Sequence, residues 1–356
     1  MKDPDPAHIM AGHGSSEGEA ALALSDAECD RLFEPLQSCG HVLVAVSGGV
    51  DSSLLLVLLH DWVRRSGRGR PALSVAVVDH ALRRASLEEA QGVCALALEL
   101  SLPAAILTWE GTKPGTGLQE AARQARYRLL IAHAKAIGAD GLALAHHADD
   151  QSETVLMRLC AGSGLDGLSG MRQVGLRDGL VLYRPLLEIG KQRLVATALK
   201  RGMTWVDDPS NLNDRFTRVR FRKARDFLAS AGLDAVRLNR LAVRMARAQD
   251  ALEQMADRLW QDVAVTGAQE IVLAQSLFEA PDEIRIRLLM RACAILVPDA
   301  PQRLERFESL LVRLTASAGQ GEDLNSTIAG CLVRMRKGQV RITVEPPRRR
   351  GREIGL

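Results

Sequence analysis

Two groups of residues in this sequence have the types and the spacing to do chemistry. The first is Ser47-Gly48-Gly49-Val50-Asp51-Ser52-Ser53. Gly48 and Gly49 let the backbone approach an anion closely, and the hydroxyls of Ser47, Ser52 and Ser53 are hydrogen-bond donors. The second is His146, Asp150 and Glu153, which share one helix face if the helical turn begins at His146. Two carboxylates and an imidazole there can bind Mg2+ and deprotonate an ammonium group, which is no nucleophile while charged. The plainer alternatives are a turn with a helix cap for the first group, and caps plus helix pairs for the second. Capping is the better reading for Asp149. For the first group, five small or polar donors between a buried strand and a buried helix favour anion binding.

The elements that must position these groups follow from the pattern around them. Residues 42–46 are a short β-branched run and 54–59 a leucine-rich segment without a breaker, so the order is strand, tight loop, helix. The helix start adds unpaired N–H groups and the positive end of its dipole. No G-x-x-x-x-G-K-[ST] string is present, since Gly190-Lys191 is followed by Gln192, and the usual P-loop is therefore absent. Further strands are expected at 73–78, 104–107, 141–145 and 180–183, with helices at 86–100, 118–136, 149–159 and 191–201. This alternation predicts an α/β fold with a doubly wound, mostly parallel sheet whose ligands bind beyond the carboxyl ends of the strands. That rule gathers Ser47 to Ser53, Asp79-His80, Trp109-Glu110 and His146 to Asp150 into one crevice. On the helix 118–136, Arg123 is a phosphate-contact candidate, although pairing with Glu120 and Tyr127 explains it almost as well.

The expected organisation is a leader at 1–25, a nucleotide domain at 26–230, a smaller and mainly helical domain at 234–345, and a basic tail at 346–356. In the second domain, helices are expected at 241–263, 282–295 and 302–315, closed by a hairpin of strands at 331–335 and 340–344. With 356 residues, 47% hydrophobic and 25% charged, the composition is that of a globular chain. No apolar run reaches the length of a membrane span, and a cytoplasmic location is expected. The six cysteines show neither C-x-x-C nor zinc spacing, so disulfides and metal-thiolate clusters are not expected. Net charge is only +3, but six basic residues crowd 215–225 and four more lie in 348–352. Two such stretches point to a polyanionic partner, with Arg218 and Arg222 as the backbone-contact candidates.

The S-G-G-x-D-S string resembles the pyrophosphate loop of the ATP pyrophosphatase superfamily, which splits ATP to AMP and pyrophosphate while activating a carbonyl oxygen. Val78-Asp79-His80-Ala81-Leu82-Arg83, Glu120 to Tyr127, His146 to Thr154, Gly162 to Leu168, Arg184-Pro185-Leu186-Leu187 and Trp205 to Asn211 then follow in the order of the tRNA(Ile)-lysidine synthases. The resemblance covers residues 40 to 225; Ala161 and Val219 depart from the family pattern. It implies an adenine nucleotide alpha hydrolase-like fold, ATP and Mg2+ as cofactors, and free L-lysine and the isoleucine tRNA with a CAU anticodon as partners. The implied product is lysidine at the wobble cytidine. By family position, Ser47 to Ser53 hold pyrophosphate, Asp51 or Asp150 helps hold Mg2+, and Asp79 contacts the nucleotide. His80 lies near the substrate, and Arg184 and Asp208 are lysine or base contacts. The rivals are a tRNA 2-thiolation enzyme of the same superfamily, which usually needs paired cysteines, and a non-catalytic RNA-binding protein on this fold.

Overall fold

The sheet that positions these groups is built from sequence that is apolar on both faces. The computed structural model describes residues 23–66, 69–82, 85–205 and 225–346. Helix α1 (Asp26–Phe33), closed at its start by a reciprocal Ser25 and Glu28 capping box, leads to β1 (His41–Ala45). Val42, Leu43 and Val44 are fully buried, as expected of a central parallel strand covered on both sides. The chain continues through α2 (Val50–Ser66), β2 (Ala72–Asp79), α3 (Ala85–Glu99), β3 (Ala104–Thr108) and α4 (Leu118–Ala136). It then forms β4 (Gly141–Ala143), α5 (Ala148–Cys160), a single helical turn at Leu165–Leu168, β5 (Val174–Arg177), β6 (Leu180–Tyr183) and α6 (Lys191–Lys200).

These six strands lie in the order β3-β2-β1-β4-β6-β5. All pairs are parallel except β5 with β6. The chain winds outward from β1 to β3, then crosses through α4 to β4 on the other side of β1. That reversal is the switch point at which doubly wound sheets open a ligand crevice. One face is covered by α1, α2, α3 and α6, with Phe33, Leu55, Leu59, Trp62, Val93 and Leu194 in its core. On the other face, α4 lays Tyr127, Leu130 and Ile131 against Leu43, Ala76 and Leu142. Gly141 permits the close approach of β4 to its neighbours: a Cβ there would meet Tyr183 Cε2 at 2.9 Å and Cys39 Sγ at 3.3 Å.

Beyond residue 224 come α7 (Arg225–Ser230), α8 (Ala235–Val263), β7 (Ala264–Thr266), β8 (Glu270–Leu273), α9 (Asp282–Leu296) and α10 (Leu304–Gln320). The last strands are β9 (Leu324–Ile328), β10 (Cys331–Arg336) and β11 (Gln339–Val344). The expected hairpin is β10 with β11, but it is the middle of a five-stranded antiparallel sheet ordered β7-β8-β11-β10-β9. Beside its helices the second region therefore carries a sheet, and Ile271, Leu289, Phe307, Leu311, Val333 and Ile342 form the shared core.

The chain divides into two compact units. One runs through Ser163 and resumes from Gly167 to Val243; the other takes Gly164–Asp166 and continues from Arg244. Within the second unit, buried Arg287 grips Asp166 with both amino groups, at 2.5 and 3.1 Å, a bidentate guanidinium and carboxylate pair. It also binds Glu253 and, at 2.9 Å, Glu283. No helix among the described residues is long and apolar enough to cross a membrane. The leader up to residue 22 and the tail from residue 347 lie outside the described residues.

Candidate active site

The loop after β1 is held open by its own hydrogen bonds. Ser52 Oγ accepts the Ser47 N–H at 3.0 Å and donates to the Gly49 carbonyl at 3.0 Å, and Ser47 Oγ lies 3.1 Å from it. With its proton on Gly49, Ser52 is a clamp, and the Ser47 hydroxyl donates to it. Gly48 sits at φ +87°, a left-handed conformation that favours glycine. The donors left for an anion are the first N–H groups of α2, which have no intrahelical partner. Ser53, the first residue bonded back to Gly49 (3.1 Å), is buried one position further on.

The second group assembles around His147. The helix α5 begins at Ala148 with His147 as its N-cap, so the face drawn from a turn beginning at His146 is corrected: His146 precedes the helix. Asp150 Oδ2 accepts the His147 N–H at 3.1 Å, and His147 Nδ1 accepts the Asp149 N–H at 3.2 Å. An accepting Nδ1 leaves the ring proton on Nε2 in the neutral imidazole. That Nε2 lies 3.6 Å from Asp51 Oδ2 and 3.5 Å from Asp150 Oδ2. One ring thus joins the loop after β1 to the helix after β4, across the switch point. Glu153 is buried one turn beyond Asp150. Asp149 does cap, though a different helix: its Oδ1 accepts the Lys191 N–H at the start of α6, at 3.1 Å.

Lys191 is the largest omission of the sequence reading. Its Nζ lies 2.7 Å from both carboxylate oxygens of Asp51. Gln151 is another: its carboxamide exchanges hydrogen bonds with both backbone groups of Met171, at 2.9 and 2.8 Å, and so ties α5 to the glycine-punctuated loop. The available signal for Lys191 was a lysine opening a helix, where the dipole disfavours a cation.

The other strand ends carry mixed roles. Asp79 Oδ1 accepts the Ala81 N–H at 2.8 Å and the Ser86 hydroxyl at 2.6 Å, so one of its oxygens serves its own turn. Arg126 donates to His80 Nε2 at 3.3 Å, and His80 meets the Trp109 ring edge to face at 5.9 Å. The His80 Nδ1 is buried and has no hydrogen-bond partner among the described residues. Arg123 stacks over Tyr127 at 5.3 Å, as its i,i+4 spacing predicts, and Arg177 covers the same ring at 4.1 Å. Glu120 instead accepts from Gln124 at 3.2 Å. Arg184 donates to the Arg172 carbonyl at 2.8 Å, which fastens the β5 and β6 hairpin. Asp208, Arg218 and Arg222 lie outside the described residues.

Burial, reinforced by the Arg126 guanidinium, pushes the His80 imidazole from 6.5 down to about 4. An unfolded chain therefore binds this proton more readily than the folded one, and stability falls as pH drops from 6.5 toward 4. Urea unfolding followed across that window should show a shallower loss of stability in His80→Gln than in the parent. Equal slopes would discard this account.

Among the described residues no group of three or more His, Cys, Asp or Glu forms a metal cage by itself. Two carboxylates directed at one imidazole beside an anion-binding loop do fit Mg2+, which is usually held by one or two carboxylates together with substrate phosphates.

A PP-loop domain family model matches residues 23–225. The tRNA(Ile)-lysidine synthase of Bradyrhizobium sp. (strain BTAi1) is 42% identical over 354 residues, covering 94% of this chain and 99% of that one. That of Rhodopseudomonas palustris is 43% identical over 336 residues, covering 92% and 97%. Among solved structures, the U34-tRNA thiolase NcsA from Methanococcus maripaludis aligns with a TM-score of 0.54 at 16% identity, over 65% of this chain and 80% of that one, a likeness of fold alone. With the loop, the switch point and these relatives in agreement, the chain belongs to the tRNA(Ile)-lysidine synthase family and carries its ATP-using PP-loop domain.

Proposed function

We propose that this chain ligates free L-lysine to the wobble cytidine of the isoleucine tRNA with a CAU anticodon. ATP adenylates the carbonyl oxygen of that base and pyrophosphate leaves. The lysine side-chain amine, once deprotonated, attacks the same carbon and expels AMP, leaving lysidine. The observation that carries this reading is the convergence of Asp51 and Asp150 on His147 Nε2, at 3.6 and 3.5 Å, beside the loop of residues 47–53.

The roles follow from placement. The helix-start amides from Gly48 to Ser52, which precede the first intrahelical bond at Ser53, hold the leaving pyrophosphate, where fixed dipoles act without reorganising. Asp51 and Asp150 hold Mg2+, which supplies charge neutralisation on the phosphates. His147 donates toward both carboxylates and keeps their oxygens aimed at one point. Asp150 and Glu153, with His146 nearby, take the proton from the lysine ammonium. Asp79 keeps one oxygen for the nucleotide, and Arg123 contributes charge on the tRNA or nucleotide phosphates. The Nδ1–H of His80 offers an unmet donor to the base or the lysine, and Arg184, at the end of β6, is a second contact for the lysine or the base. Residues 26–230 form the adenylating domain in this scheme.

The remainder, residues 234–345, contacts tRNA. In support, Arg244 and Arg247 are exposed and stand three residues apart on α8, on one face of that helix. Arg218 and Arg222 are the proposed contacts to the RNA backbone, and binding through such phosphate contacts falls steeply with salt. A tRNA substrate sets the reaction in the cytoplasm. No cysteine lies in the strand-to-helix turns of the site, which weighs against sulfur transfer.

The test is pyrophosphate release from ATP by the purified chain, with the tRNA transcript and lysine each supplied or withheld, and mass analysis of the wobble base. Release should require the tRNA, and a lysine-sized mass gain should require lysine. Release without the gain would point to a different nucleophile, and no release would leave an RNA-binding scaffold.

A further inference from the structure

Lys191 has no part in the chemistry above, yet its ammonium is placed symmetrically on Asp51, 2.7 Å from each oxygen. That is where a cation binds a carboxylate with both oxygens engaged. Two features set the pair apart from an ordinary surface bridge. Lys191 is the first residue of α6, behind a Gly190 N-cap that gives no side-chain bond, and the first turn holds no acidic residue. A cation at that end opposes the helix dipole, so the helix does not account for a lysine. The acid this helix start needs comes from α5, through Asp149 on the Lys191 N–H, while the Lys191 side chain reaches away to α2. The pair is also only partly covered, with 37% of the lysine and 24% of the aspartate side chain exposed. A compact charge on a flexible stem can leave such a position without unfolding anything.

The surroundings ask for a cation. Asp51, Asp149 and Asp150 all have an oxygen within 4.0 Å of the His147 ring nitrogens, and a triphosphate at the adjacent helix start would add more negative charge.

We propose that Lys191 is a tethered counter-ion: in the nucleotide-free protein its ammonium occupies the cation position on Asp51 and keeps Mg2+ out. When Mg2+ arrives chelated by a triphosphate, the ammonium moves from the carboxylate to the incoming phosphate oxygens and the metal takes its place. The metal is thereby admitted only together with nucleotide. This rests on the reading of Asp51 as a metal contact.

The test uses the full chain and Mn2+ alone, a carboxylate-binding stand-in for Mg2+, followed by electron paramagnetic resonance. Without nucleotide, the parent and Lys191→Arg should bind Mn2+ weakly, and Lys191→Met should bind it about tenfold more tightly or better. Adding a non-hydrolysable ATP analogue should bring all three together. Adding Asp51→Asn to Lys191→Met should abolish the gain, and Lys191→Gln serves equally if Lys191→Met does not fold. Equal Mn2+ affinity in the parent and Lys191→Met, or a gain that survives Asp51→Asn, would overturn the proposal. A parallel titration of Asp51→Asn alone, with the analogue present, separates the two claims. Retained Mn2+ binding there removes the reading of Asp51 and the proposal with it, whereas lost binding leaves Lys191 to be decided by the first comparison.

Discussion

Replacing Asp150 with asparagine is expected to slow lysidine formation by about a hundred- to ten-thousand-fold, the range for losing a positioned acid–base group. The change is isosteric, and the amide oxygen can still accept the His147 N–H that Asp150 Oδ2 accepts at 3.1 Å. The start of α5 therefore stays capped, and circular dichroism should not move. What disappears is the negative charge beside His147 Nε2. Pyrophosphate release should fall along with lysine transfer if the same carboxylate holds the metal, as proposed above. Glu153→Gln, one turn further along, should slow lysine transfer more than pyrophosphate release. Activity of Asp150→Asn within a few fold of the parent would remove this residue from the chemistry.

The second large effect is on stability. Trp62→Ala should cost about 3–5 kcal/mol, the usual range for emptying an aromatic core position. Trp62 is fully buried on α2, meets the Phe33 ring at 5.5 Å and an interplanar angle of 61°, and lies under the Arg70 guanidinium at 4.0 Å. Its indole N–H has no hydrogen-bond partner among the described residues, so the loss is one of packing, without a buried polar group left behind. Urea unfolding should show a lower midpoint at an unchanged slope. Because Trp62 lies about three turns along α2 from the nucleotide loop, the folded fraction should keep the parent's ATP affinity. Weakened ATP binding by the folded fraction of Trp62→Ala would contradict this division of labour.

The parallel part of the fold was legible because its signal is local. Val42, Leu43 and Val44 are apolar in succession, and α4 spans 118–136 as expected. The β5 strand was missed: Val174-Gly175-Leu176-Arg177 has a glycine in the middle and exposes Val174 and Leu176, so it carries the pattern of no buried strand. Strands β7, β8 and β9 were missed because each has at most five residues and owes its shape to pairing with distant partners. In the site, the loop residues were readable from type and spacing. The one-residue change from His146 to His147 was not, because a helix start is set by which side chain closes the cap. Lys191 and Asp51 are 140 positions apart, and only the folding of α6 onto α2 brings them together.

The brief passage of Gly164–Asp166 into the second unit has a consequence for how this protein can be cut or recombined. The second unit is assembled from two pieces of chain, and the smaller carries the carboxylate that Arg287 grips with both amino groups. A fragment starting at Arg244 would leave that guanidinium with Glu253 and Glu283 alone, while a fragment ending at Val243 would take Asp166 away from its partner. No single scission yields both units whole, so a module exchanged between such proteins must bring its three-residue insert with it.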